Sequence, residues 1–290
     1  MTSRKLVGLI GANIGGSLSP ALHEDAFAAA GMVGHYHLMD IASLPGRGLK
    51  DLLAAARTAG FAGVNVTYPF KEAVIPLLDE VSPEAMEIGA VNTVVIDEKT
   101  RTTGHNTDRS GFRCAFLETL GADCVRDKPV LLLGAGGAGR AVAFALMDMG
   151  AALLRIHDPD AARAGGLCAD LTARFGANRC VLASEPETAV ASGVVNATPV
   201  GMLGHPGMPL TVEPIQPHHF VADVIYTPLN TPFVLAARLK GSRTMNGSGM
   251  CVHQAAEAFR HFTGRVPDVA RMKRTFAEAC ARRDALLSSG

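Results

Sequence analysis

An excess of charge of one sign, C-x-x-C cysteine spacings and long apolar runs are all missing from this chain. Lys+Arg and Asp+Glu both number 27, so no net field draws nucleic acid or a membrane surface. No apolar run approaches the ~20 residues of a membrane-spanning helix. The first run, Leu6 to Ile10, is too short for the core of a signal peptide. A cytoplasmic protein without nucleic-acid or membrane partners is expected. The cysteines at 114, 124, 168, 180, 251 and 280 form no C-x-x-C pair and no zinc spacing, so no metal is expected. They read as free core thiols of a reducing compartment. There is no low-complexity tract and no solenoid repeat. Tryptophan is absent and there are 3 tyrosines, against 31 glycines and 12 phenylalanines. That mix suits an α/β enzyme with many tight turns. At 290 residues and 48% hydrophobic, with a mean hydropathy of +0.20, the chain can bury the cores of two domains.

What is present is organised around Val130 to Gly139. An apolar run ends in Gly134, Gly136 and Gly139, the G-x-G-x-x-G spacing of a dinucleotide-binding turn, and an amphipathic segment, Arg140 to Met149, follows at once. The three glycines would serve a tight turn, a close approach of backbone to pyrophosphate, and close helix–strand packing. The helix start offers unpaired N–H groups to phosphate. A second strand, Ala152 to His157, ends in Asp158, about 20 residues beyond the last glycine, where a carboxylate accepts ribose hydroxyls and repels a 2′-phosphate. NAD is therefore expected over NADP. Asp158 before Pro159 also suits a helix N-cap, and Arg163 could soften the preference by pairing with a phosphate.

Along the rest of the chain, strands are predicted at Leu6 to Gly11, His35 to Ile41, Gly63 to Thr67 and from Ala90–Thr93 to Ile96. Ser19–Pro20 reads as the N-cap and first residue of a helix, Ala21 to Ala30. Ser17 and Ser19 together at a helix start suit a carboxylate ligand. Lys71 falls after the third strand and before a predicted helix, Glu72 to Leu78. That placement is at the ligand edge of an α/β sheet and against the helix dipole. Asp108 reads as the N-cap of a helix, Ser110 to Leu120, and Gly121 to Lys128 as a linker. From Pro129 to about Leu239 strand and helix alternate, implying a parallel sheet covered on both faces. The Gly/Pro-rich loop Pro199 to Pro209 either covers a cofactor or only connects, with Met202 and Leu203 exposed. Thr244 to Gly249 is another permissive loop. Val252, Ala255, Ala256 and Phe259 form the apolar stripe of a helix, Met250 to Phe262, with Gln254 off it. A last helix runs from Asp268 to Leu287.

Taken in order, Ser17-x-Ser19-Pro20-x-x-His23, Asn65-Val66-Thr67-x-Pro69-x-Lys71, Gly89-Ala90-Val91-Asn92-Thr93 and Gly104-x-Asn106-Thr107-Asp108-x-x-Gly111 resemble the signatures of the shikimate dehydrogenase family. The order continues with Gly134-x-Gly136-Gly137-Ala138-Gly139, Asn196-Ala197-Thr198-Pro199-x-Gly201-Met202, Asp223-x-x-Tyr226-x-Pro228 and Gly249-Met250 before Gln254-Ala255. Nearly the whole chain is covered. The departures are informative. Gly11-Ala12-Asn13-Ile14 stands for the usual Gly-Asn-Pro-Ile, Glu24 for an Asn after His23, and Phe262 for a Trp. His157-Asp158-Pro159 replaces the Asn-Arg-Thr that holds an NADP phosphate. These changes resemble the NAD-preferring quinate/shikimate dehydrogenase branch.

The resemblance implies an α/β protein of two domains with the active site between them. Residues 121–249 would form a Rossmann-type doubly wound parallel sheet that binds NAD. Residues 1–120, completed by 250–290, would form an α/β substrate domain with a mainly parallel sheet. Carried over by motif, Ser17 and Ser19 would bind the substrate carboxylate. Thr67, Asn92, Asp108 and Gln254 would hold ring hydroxyls, with Tyr226 beside them, and Lys71 and Asp108 would be the catalytic pair. Gly134, Gly136, Gly137, Ala138, Gly139, Asp158, Arg163, Thr198, Pro199, Val200, Val224 and Gly247 would line the NAD site. The implied reaction is reversible oxidation of the C3 hydroxyl of shikimate or quinate, with Lys71 as base. A lysine can do this near neutrality only where burial or a cationic neighbour lowers its pKa. The competing readings are an NADP-linked biosynthetic enzyme, an aminoshikimate dehydrogenase, a non-catalytic sensor of the same fold and a tetrahydrofolate-type dehydrogenase. The residues leave open quinate against shikimate and the oligomeric state, a homodimer included.

Overall fold

The computed structural model describes residues 4–288, so residues 1–3 and 289–290 of the expected substrate domain lie outside it. The chain divides into two compact units. One runs up to Thr107 and takes up the chain again from Val252; the other holds Asp108–Cys251.

The first unit contains β1 (Arg4–Gly11), α1 (Ser19–Ala29), β2 (Val33–Asp40), α2 (Leu49–Thr58), β3 (Gly63–Val66), β4 (Glu80–Val81), α3 (Pro83–Ile88), β5 (Thr93–Ile96) and β6 (Thr102–His105). Its sheet has the order β2-β1-β3-β5-β6-β4. β1 pairs parallel with β2 and β3, and β4 with β6, while β5 runs antiparallel to both its neighbours. Ile10, Val64, Val66 and Val94 on the strands bury against Leu52, Leu53 and Ala56 of α2.

The second unit opens with α4 (Asp108–Thr119) and continues through β7 (Pro129–Leu133), α5 (Gly137–Asp148), β8 (Leu153–His157), α6 (Ala161–Phe175), β9 (Cys180–Leu182), β10 (Gly193–Asn196), β11 (Phe220–Asp223), α7 (Pro232–Leu239) and β12 (Arg243–Met245). Its sheet, in the order β12-β11-β10-β7-β8-β9, is parallel throughout. Strands buried on both faces read as the apolar runs that signalled them. Leu131, Leu133, Val194 and Val221 pack with Phe233 and Ala237 of α7. α8 (Ser248–Thr263) carries the chain back and α9 (Val269–Ser288) ends it. The stripe Val252, Ala255, Ala256 and Phe259 is buried as the 3.6-residue period requires.

Several local expectations are corrected. No α-helix follows Lys71: residues 71–74 are turns and only Ile75–Leu77 form a 3-10 turn, because Pro76 removes an N–H that a longer helix would need. Leu18, not Ser19, occupies the N-cap of α1; Ser19 is already helical and makes no side-chain cap. α4 begins at Asp108 itself, so Thr107 takes the position before it. α5 starts three residues earlier than the amphipathic pattern, at Gly137. Of the six cysteines, Cys168 on α6 and Cys180 on β9 are joined in a disulfide, and Cys114 is exposed, so the expectation of six free core thiols fails. The two half-cystines lie on a helix and strand whose packing brings them together, and spacing alone does not reveal that. Met202 is half-buried; only Leu203 of that pair is exposed. The expected linker 121–128 is not where the compact units divide. α4 belongs with the second unit, where Phe116 meets Phe220 of β11 edge-on at 5.2 Å.

Candidate active site

In the first unit the predicted ligands collect at the carboxyl ends of β1 and β3. The loop after β1 is held by the carboxylate of Asp40, which accepts from the N–H groups of Asn13 and Ile14 at 2.9 Å each. Ser17 N–H then bonds Ile14 O at 2.9 Å, and Ser17 Oγ accepts from Ser19 N–H at 3.3 Å. Both serines are half-buried, and neither hydroxyl caps α1, so both are available to a ligand's carboxylate. The loop after β3 is stitched to the same edge: Thr67 N–H bonds Ile10 O at 3.0 Å, and Ala12 N–H bonds Tyr68 O at 3.3 Å. Gly11 is required here, because a Cβ would meet Thr67 Cγ2 at 2.5 Å. Lys71, half-buried, has its carbonyl bonded by Val91 N–H at 2.8 Å. The backbone thus brings Ser17, Ser19, Thr67, Lys71 and the segment carrying Asn92 to one edge.

A buried polar network supports that edge, and the motif reading missed part of it. Tyr36 OH donates to Asn65 Oδ1 at 2.8 Å; Asn65 Nδ2 donates to Asn92 O at 3.1 Å and to Thr93 Oγ1 at 2.9 Å. Asn92 in turn donates to Thr107 Oγ1 at 3.0 Å and accepts from Thr107 N–H at 2.8 Å. Asn92 is buried and ties the residue before Asp108 to the first sheet. His23 stacks on Tyr36 at 4.7 Å, and burial pushes its pKa down to about 3. Tyr36 lacked a motif; it is one of the two buried residues of β2, with Met39. Gln254 is half-buried on α8, off the buried stripe.

In the second unit, the expected cofactor residues follow the carboxyl ends of β7, β8, β10 and β11, apart from Arg163 on α6 and Gly247 after β12. Strand order reverses between β7 and β10, the switch point where open parallel sheets take ligands. Gly134 has φ +96°, and a Cβ there would meet the Ala197 backbone at 2.9 Å. A Cβ on Gly139 would fall 2.0 Å from Gly134 O. Gly136 differs: its Cβ would meet only the Arg163 guanidinium, at 3.9 Å, so the open side of the turn is there. Gly137 and Ala138 occupy the first turn of α5, which has no side-chain cap, leaving its N–H groups for an anion. Asp158 Oδ2 accepts from Ala135 N–H at 2.8 Å and Oδ1 from Asp160 N–H at 2.9 Å. The N-cap of α6 is Asp160, which accepts from Arg163 N–H at 3.1 Å, so the capping reading of Asp158 is replaced by a bond to the glycine turn itself.

The loops after β10 and β11 share one buried anchor. Asp223, 0% exposed, accepts from Asn196 Nδ2 at 3.1 Å, Ile225 N–H at 3.0 Å and Thr231 Oγ1 at 2.8 Å. Burial pushes its pKa above the ordinary carboxylate value against these three bonds. Asn196 Oδ1 accepts from Thr198 Oγ1 at 2.7 Å, and Thr198 Oγ1 from Val200 N–H at 3.2 Å. Thr198, Pro199 and Val200 are thereby shaped, and Val224 N–H bonds Asn196 O at 3.1 Å. Gly247 is compulsory below them, because a Cβ would sit 2.1 Å from Val224 O. Leu203 N–H bonds Thr227 O at 2.9 Å, tying the 199–209 loop to the loop after β11. Among the described residues no cluster of His, Cys, Asp and Glu could hold a metal, and no helix is long and apolar enough to cross a membrane.

Residues 9–94 match the model of the shikimate dehydrogenase substrate binding domain, and residues 247–275 that of the shikimate 5'-dehydrogenase C-terminal domain. The chain is 46% identical to a quinate/shikimate dehydrogenase (NAD(+)) of Corynebacterium efficiens, covering 93% of this chain and 97% of the relative. It is 47% identical to a shikimate dehydrogenase (NADP(+)) of Streptomyces avermitilis, covering 94% and 95%. Among solved structures, quinate dehydrogenase from Corynebacterium glutamicum in complex with NAD superposes with a TM-score of 0.87 at 44% identity, covering 96% of this chain and all of that one.

Proposed function

The chain belongs to the shikimate dehydrogenase family, and on that premise we propose that it is an NAD-linked quinate/shikimate dehydrogenase. It oxidises the C3 hydroxyl of shikimate to 3-dehydroshikimate and of quinate to 3-dehydroquinate, reversibly. The observation that carries the cofactor half of this reading is Asp158. Its carboxylate ends β8 and accepts a bond from the glycine turn, where it meets ribose hydroxyls and repels a 2′-phosphate. The surroundings fit NAD: an open side at Gly136, uncapped N–H groups at α5 and the shaped loop at Thr198. Gly134, Gly136, Gly137, Ala138, Gly139, Asp158, Arg163, Thr198, Pro199, Val200, Val224 and Gly247 would hold it. Bound there, NAD supplies the nicotinamide that accepts the hydride.

The chain's own residues handle the acid and its proton. Ser17 and Ser19 hold the substrate carboxylate, and Thr67, Asn92, Gln254 and Tyr226 the ring. Lys71 takes the C3 hydroxyl proton during oxidation and returns it in reduction. Asp108 orients that lysine and accepts a hydrogen bond from a neighbouring ring hydroxyl. Transfer by a positioned group is worth about 10²–10⁴-fold. Partners are these small molecules, and the cytoplasm is the place of work.

Arg163, exposed and beside Gly136, favours the second reading, an NADP-linked shikimate dehydrogenase, since its guanidinium can pair with a phosphate. A steady-state matrix of quinate and shikimate against NAD and NADP, followed by reduced-cofactor absorbance, separates the two. Turnover is expected with NAD on both acids. Turnover confined to NADP selects the second reading, and none with either cofactor rejects both.

A further inference from the structure

Asp108 enters its unit beside a buried arginine. Arg109 is only 9% exposed. Its Nε donates to Asp148 Oδ2 at 2.7 Å and its second terminal nitrogen to Asp148 Oδ1 at 2.7 Å. The guanidinium carbon lies 5.2 Å from the centre of the Phe144 ring. Both partners belong to α5, Asp148 as its last residue.

Neither charge suits its own helix. Arg109 is in the first turn of α4, where the dipole opposes a cation, and Asp148 ends α5, where it opposes an anion. Arg109 is buried while Asp148 keeps contact with solvent, so water screens the attraction and the cost of burying the guanidinium offsets part of the rest; an apolar pair would cost the contact little. An apolar pair would not supply direction. Two parallel N–H···O bonds fix how far the first turn of α4 slides and how it rotates. One residue of rotation is about 100° in a helix, so the residue before Arg109 is oriented with it.

We propose that Arg109 is a positioning residue: clamped to Asp148, it sets the orientation of Asp108 and so the rate of the proton-transfer step. The inference rests on the reading of Asp108 as an acid–base residue.

The test compares Arg109→Met/Asp148→Leu, Arg109→Lys and Asp108→Asn with the parent. The apolar double variant is expected to melt close to the parent. Its kcat should fall about ten- to a hundredfold, as small misplacements do, with the KM for NAD within about twofold of the parent. Arg109→Lys, which keeps the charge and loses the fork, should fall between. Without NAD, hydrogen exchange at Phe112 and Arg113, whose helical bonds close the first turn of α4, should quicken in the double variant. A kcat within twofold of the parent, or unchanged exchange, overturns the role. If the double variant does not fold, Arg109→Lys decides by the same kcat criterion. If Asp108→Asn keeps parental turnover, the reading of Asp108 fails and the positioning role falls with it. If Asp108→Asn loses turnover and the Arg109 variants do not, the positioning role alone fails.

Discussion

Lys71 stands where a parallel strand ends, and its neighbours hold it by backbone rather than by a helix. Its segment is fixed through Val91 N–H and the Thr67 bond to β1, so truncating its side chain leaves that frame standing. Lys71→Ala is expected to lower kcat by about 10²–10⁴-fold while substrate KM moves much less; a kcat near the parent's would remove the acid–base role. Asp158 makes two backbone bonds of its own, and the ribose reading adds bonds to a charged group. Asp158→Ala should raise the KM for NAD by about tenfold or more and increase relative use of NADP. An unchanged NAD/NADP ratio of kcat/KM would argue against ribose recognition. His23 bears on stability. It is neutral when folded down to about 3, against an ordinary value of 6.5. Between those values the unfolded chain binds the extra proton, so stability falls as pH drops from 6.5 towards 3, by up to about 1.4 kcal/mol per pH unit. His105, pushed down to about 4 by burial and by its stacked neighbour His261, adds in the same direction. His23→Phe keeps a ring against Tyr36 and should lose less stability between pH 7 and pH 5 in urea titrations. Equal losses would locate the proton uptake elsewhere.

The strand–turn–helix from β7 to α5 separates two demands on glycine. At Gly139 a Cβ collides with Gly134 O at 2.0 Å, so Gly139→Ala should cost about 1–3 kcal/mol in stability as overpacking does. At Gly136 the nearest atom would be 3.9 Å away. Gly136→Ala should therefore fold with a stability within about 0.5 kcal/mol of the parent and yet bind NAD weakly, because its Cβ occupies the open side. Thermal melts with and without NAD measure both; a Gly136→Ala protein as strongly stabilised by NAD as the parent would place the phosphates elsewhere. The glycine spacing and the apolar run were legible because each is local. The short strands β9 and β12 were not, since three residues at the ends of a sheet take their conformation from the strand beside them. The stretch after Lys71 misread as a helix because its apolar residues suit that period, whereas Pro76 limits it to one 3-10 turn.

At the scale of the whole molecule, the chain leaves the first unit at Thr107 and re-enters it at Val252, so the residues assigned to substrate come from both ends of the sequence. Among the described residues there is one covalent cross-link, Cys168–Cys180 in the second unit, across 12 positions between α6 and β9. Four cysteines remain free, so thiol titration of the unreduced, unfolded protein should find four, and reduction should cost about 3 kcal/mol of stability by loop entropy. Six titratable thiols would return the pair to free cysteines.

The sequence by itself determined the α/β class, the glycine-rich turn between strand and helix with Asp158 about 20 residues on, and the ordered motifs that resemble this family. All rest on spacing along the chain, which dihedral preferences and helix or strand periodicity translate directly. Only the tertiary structure decided what each polar group bonds. Asp158 holds Ala135 rather than capping α6, Asp40 holds a loop at Asn13 and Ile14, and Arg109 finds Asp148 39 positions away. Those choices depend on which groups burial leaves without water, and burial is settled by how distant elements pack.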